Sequence, residues 1–128
     1  MYRLALELTQ LPEAFNKVLR THWKDRHSTN MSWYMFISCE VGLKRPPKPL
    51  KRARISIVRH AHRTLDFDGL VASMKPVVDG LVVAKVLSDD SWRVTGPWHV
   101  DQVFRPKDQG PLLTIEVVEI PLDHTGPT

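Results

Sequence analysis

Apolar and polar residues alternate at the start of the chain, where Leu4, Leu6 and Leu8 are separated by Ala5 and Glu7. A period of two turns the leucines to one side and predicts a strand with one buried face. The same period returns at Ala53, Ile55 and Ile57, with Arg54 and Ser56 between them, and predicts a second strand to about His60. The run Leu113-Thr114-Ile115-Glu116-Val117 predicts a third, and shorter strands are expected at residues 92–95 and 100–104. A different period marks Leu70, Met74, Val77 or Val78, and Leu81, which recur at three- and four-residue steps. That spacing predicts an amphipathic helix, and Pro76 within it predicts a kink or two abutting short helices, because proline removes one backbone donor.

Two further segments are read from their end signals. Ser28 or Thr29 is suited to cap a helix running to about Val41, with Gly42 fitted to the left-handed position just after it. Met31, Trp33, Tyr34, Met35, Phe36 and Ile37 make this helix apolar nearly all round, so burial on every side is expected. Residues 11–26, with Pro12, Asn16 and scattered bases, have no clear period and read as a loop with some helical turn. Residues 43–52 contain three prolines, which excludes a helix and predicts an exposed basic connector. Strands and helices in no regular alternation place the chain in the α+β class.

A length of 128 residues and 42% apolar content suit one domain over residues 1–128 with a single core. Cys39 stands alone, which excludes an internal disulfide framework and a Cys-x-x-Cys zinc site and fits a reducing, cytoplasmic setting. No apolar run approaches the roughly 20 residues of a membrane span, so no membrane partner is expected. The charge is divided sharply along the chain. Residues 14–65 hold twelve Lys or Arg against two acids, whereas residues 66–128 hold five bases and ten acids. A cationic half beside an acidic half is what a metal-dependent enzyme acting on a polyanion requires.

The acids that matter come in tight pairs, Asp66-Phe67-Asp68 and Asp89-Asp90. On the helix after the first pair, Asp68, Ala72, Lys75 and Asp79 follow one line of the surface at spacings of four, three and four. Asp68 lies where that helix begins, and its carboxylate is equally suited to cap the backbone there. An Asp-x-Asp before a helix is ordinary turn chemistry when it stands alone. His60 and His62 share one side of an extended segment, but no third nitrogen or sulfur donor has ligand spacing. Trp33, Trp92 and Trp98 read as core or interface residues, while Trp23, amid bases, fits either the core or a nucleic-acid surface.

The run Leu65-Asp66-Phe67-Asp68-Gly69-Leu70, followed by Lys75, Asp79-Gly80-Leu81 and Ser88-Asp89-Asp90-Ser91, resembles the core signature of the RusA-type Holliday junction resolvases. The resemblance covers about residues 52–120, and Leu11-Pro12, Asn16 and His22-Trp23 are similar to phage members of that family. It implies a small α+β domain with a mixed sheet and two main helices, acting as a homodimer. The implied activity is Mg²⁺-dependent cleavage of four-way DNA junctions in recombination or repair, Mn²⁺ being an alternative ion, without an organic cofactor. By position, Asp66, Asp68 and Asp90 correspond to the family's essential acids and Lys75 to its lysine. Asp66, Asp68, Asp89 and Asp90 are the implied metal ligands, and Asp79 matches an acid of less defined part. Where the family carries asparagine after the second acid this chain has Gly69, and Lys75 stands further along by about one helical turn.

Branched double-stranded DNA is thus the expected partner, held by phosphate contacts from Lys17, Arg20, Lys24, Arg26, Lys44, Arg45, Lys48, Lys51, Arg52 and Arg54. Two sites related by a two-fold axis suit two symmetric nicks. The alternative expectation is a junction- or duplex-binding protein whose nuclease activity has been lost.

Overall fold

The alternating segments form the strands of one sheet: β1 (Arg3–Leu8), β2 (Ala53–Ala61), β3 (His99–Phe104) and β4 (Leu112–Glu119). They are seen in a computed structural model that describes residues 1–12 and 23–122, with the backbone alone for 23–29. The strand order is β1-β4-β2-β3; β4 runs antiparallel to both of its neighbours and β3 lies parallel to β2. Leu6, Ile115, Ile57 and Val100 stand side by side across all four strands. This row and its parallel row of Leu4, Val117 and Ile55 turn to the same face, where all but Val100 are buried. Fully burying one such side chain contributes about 1.5–3 kcal/mol, so these rows fix the register.

Helices cover that face. Helix α1 (Trp23–Val41) is followed by a single 3-10 turn, Gly42–Lys44. Helices α2 (Phe67–Ser73) and α3 (Lys75–Val83) abut at Met74, with Pro76 in the first turn of α3, as its missing donor requires. Leu70, Met74, Val77, Val78 and Leu81 are all buried, so the three- and four-residue spacing does mark the core stripe. Gly80 lets α1 and α3 approach closely: a Cβ there would lie 2.9 Å from Ile37 Cγ1. The path from β2 to the parallel β3 runs through α2, α3 and a one-turn helix α4 (Trp92–Thr95). A four-stranded mixed sheet with helices packed on it is an α+β fold. Among the described residues no helix is long and apolar enough to cross a membrane.

Four sequence expectations are corrected. Helix α1 already includes residues 23–26, so Ser28 and Thr29 lie inside it rather than at its cap, and Lys24 and Arg26 stand on a helix instead of a loop. Serine and threonine in a helix interior cost only tenths of a kcal/mol, which packing of the same helix against α3 outweighs. Among the described side chains of α1, burial is confined to the line Trp33, Ile37 and Val41, whereas Met31 and Met35 are exposed, Met35 at 66%. A neighbour on one side covers only one stripe of a helix, and here α3 is that neighbour, with Gly80 against Ile37. Residues 92–95 form α4 and not a strand, ended by Gly96 in the left-handed region at φ 56°. The connector after α1 is exposed at Lys44, Arg45, Lys48 and Lys51 but pinned from within: Pro46 and Leu50 are buried, and Leu50 bonds Val86 and Ser88 through its backbone at 2.8 and 3.0 Å.

Candidate active site

Asp66 follows the turn that leaves β2, and its place is set by side-chain to backbone bonds. Gln102, on the adjacent β3, donates from Nε2 to the carbonyl of Leu65 at 2.7 Å and accepts the Leu65 N–H at 3.0 Å. The next residue begins α2: Asp66 has extended backbone, and its Oδ1 accepts the Gly69 N–H at 3.1 Å. The cap at this helix is therefore Asp66, with Asp68 exposed in the first turn beside the positive end of the helix. Gly69 is what lets Asp66 take this position, because a Cβ at residue 69 would stand 2.6 Å from Asp66 Oδ1.

Lys75 opens α3, one helix further on. Its ammonium donates to Asp79 Oδ1 at 2.9 Å, the one-turn neighbour foreseen from spacing, and to Asp90 Oδ2, which arrives from the loop after α3. Tyr34 of α1 reaches the same cluster and donates its hydroxyl to Asp79 Oδ2 at 3.5 Å. Asp89 supports Asp90, its Oδ1 accepting the Asp90 N–H at 2.8 Å. The hydrogen bond from Lys75 holds the Asp90 carboxyl below its usual range. Burial pulls the Lys75 ammonium down, but its bonds to Asp90 and Asp79 outweigh that and raise it, so the lysine stays charged. Burial first, and the negative Asp79 second, push the Tyr34 hydroxyl up.

The fold thus joins Lys75, Asp79 and Asp90 in one hydrogen-bonded group with Asp89 behind them, while Asp66 bonds the Gly69 N–H and Asp68 stands exposed in the first turn of α2. Carboxylate oxygens are the donors a hard cation prefers, and two of them already converge on one positive group. Among the described residues no three His, Cys, Asp or Glu side chains surround one point, and His60 and His62 gain no third donor.

Of the bases expected to hold phosphates, Lys44, Arg45, Lys48, Lys51 and Arg54 are exposed and Arg52 is half-buried. Lys17 and Arg20 lie outside the described residues, as do the side chains of Lys24 and Arg26. Trp33 belongs to the core and Trp98 packs against it, but Trp92 is 74% exposed. Sequence reasoning missed Gln102 and Tyr34; neither lies in a motif, and only strand pairing and helix packing bring them to the acids. No protein-family model matches the chain, and no curated protein matches it.

Proposed function

We propose that this protein is a divalent-metal-dependent endonuclease that cuts branched DNA, a four-way junction first among them, in the manner of the RusA-type resolvases it resembles. The observation that carries the reading is the meeting of Lys75, Asp79 and Asp90, residues fifteen positions apart at the extremes, in one hydrogen-bonded group. A lysine kept charged by two carboxylates suits a site where negative charge develops on a phosphate or a departing oxygen, since a positioned donor stabilises that charge without reorganising. Mg²⁺, or Mn²⁺ in its stead, would need Asp66, Asp68, Asp89 and Asp90 to draw together around it, and when bound it would polarise the phosphodiester. Asp66 would leave its cap to take part. The bases of residues 44–54 would grip flanking phosphates, and a homodimer in the cytoplasm would present two sites for paired nicks.

A second reading, binding of a junction or duplex without cleavage, is favoured by Asp66, whose carboxylate is engaged by Gly69. A labelled four-way junction incubated with the protein and Mg²⁺ separates the two. Paired symmetric nicks that disappear in Asp90→Asn, with binding retained, support the nuclease. Tight binding with no nicks in the wild type, at any divalent ion tried, would sink it and leave the second reading.

A further inference from the structure

A cleft of about 760 Å³ opens between the start of β2, helix α4 and the chain after β4. Lys51, Arg52, Arg54, Arg93 and His99 line it, and no Asp or Glu does among the described residues. None of the four Lys and Arg side chains has a carboxylate partner among those residues; the ion pairs there join Arg3 to Glu116 and Lys75 to Asp79 and Asp90. Crowding four cations without an answering anion raises the energy of the folded state, so the cleft is built for a negative charge from outside. At its wall stands Trp92, 74% exposed although an indole gains most from burial.

We propose that this cleft seats a single-stranded stretch of DNA, with phosphates against Arg52, Arg54 and Arg93 and one base stacked on Trp92. Guanidinium groups bind phosphate through a planar fork of donors, and a row of them follows a phosphodiester chain. The indole decides between paired and unpaired DNA. In a duplex both faces of every base are covered by its neighbours, whereas an unpaired base has a face free to stack, which is how a basic groove with aromatic side chains holds single strands. The volume lies within the roughly 300–1,000 Å³ of ordinary ligand clefts. Trp92 is also two residues from Asp90, at most about 7 Å along the backbone. Resting on the nuclease reading above, this places an unpaired nucleotide at a branch point beside the phosphodiester that faces Lys75 and Asp90.

The binding claim is tested without metal, so that it stands or falls apart from cleavage. Full-length protein in EDTA is titrated into a fluorescein-labelled oligothymidylate of about ten nucleotides, followed by anisotropy and by quenching of tryptophan emission. Trp92→Ala is expected to weaken binding about ten-fold, Trp92→Phe to retain most of it while losing the quenching, and Arg54→Glu with Arg93→Glu to weaken it further. Lys107→Glu, a single charge reversal outside the cleft, leaves affinity unchanged, and circular dichroism confirms that each variant is folded. Four results would overturn the proposal: unchanged affinity in Trp92→Ala, a Trp92→Ala loss just as large on a duplex of the same length, equal binding of oligoglutamate, or a Trp92→Ala chain that binds normally per monomer but no longer dimerises. Absence of junction cleavage with these affinities intact would instead remove the nuclease reading and leave the cleft as a single-strand site.

Discussion

Around Lys75 the positive charge is answered inside the chain, by Asp79 and Asp90, while around Arg52, Arg54 and Arg93 it is answered by no carboxylate among the described residues. The first region is self-contained. Its partners hold the ammonium in one place and keep it protonated, which suits a group that must act from a fixed position. The second region leaves its bases open to an anion from outside, the role proposed for DNA phosphates. Neither arrangement is explained by stability: an exposed ion pair such as that of Lys75 contributes about 0.2–1 kcal/mol, and unpaired surface cations contribute nothing or less. On the reading proposed above, the contrast separates where chemistry would be done from where the substrate would be held.

The sharpest way to break this division is to remove the paired cation. Lys75→Ala should slow junction cleavage by about a hundred- to a thousand-fold, the usual effect of deleting one transition-state donor, while affinity for the junction stays the same within error. Were affinity to fall in step with cleavage, Lys75 would be a gripping residue and the contrast would vanish. Salt probes the unpaired region next. Three phosphate contacts to a single strand predict a slope of about −2 in log affinity against log salt, or about twenty-fold weaker binding of the oligothymidylate at 200 mM than at 50 mM. A flat salt dependence by anisotropy would mean that the cleft bases do not face phosphates.

Smaller effects test the local geometry. Asp66→Ala removes a helix cap and should cost about 1 kcal/mol in urea unfolding. Gly69→Ala ordinarily stabilises a helix, but here its Cβ would collide with the capping oxygen, so the substitution should be neutral or destabilising in the wild type and stabilising in an Asp66→Ala background. Additive effects in that cycle would show that Asp66 does not cap α2. Finest of all is the pH dependence of the Lys75–Asp90 link. Asp90 is held below its usual pKa, so its contribution is complete above about pH 4 and is lost as pH falls through the lowered value. Lys75 is raised, so its contribution is complete below about pH 10 and is lost as pH rises through the higher value. The stability difference between wild type and Lys75→Ala should therefore be flat between those limits and shrink outside them, by urea titration at each pH.

Read from the chain alone, Leu4, Leu6 and Leu8, then Ala53, Ile55 and Ile57, then Leu113, Ile115 and Val117 already specify three strands with one buried face each, and Pro76 specifies the break between α2 and α3. The neighbourhood of Lys75 and Asp79 was legible as well, because four residues is one turn of a helix. These features depend only on the local backbone repeat, which sequence carries directly. What the repeat cannot carry is which elements meet. The bond from Lys75 to Asp90 spans a helix and a loop, Gln102 reaches Leu65 only because β3 pairs with β2, and Gly80 matters only where α1 crosses α3. The same limit explains residues 92–95, whose short apolar pattern suits a strand but which fall in the crossover before β3, where a single turn ended by Gly96 fits the space. Local repeats along the chain set which face of each strand and helix is apolar; packing of distant segments decided which charges found partners and which were left open to solvent.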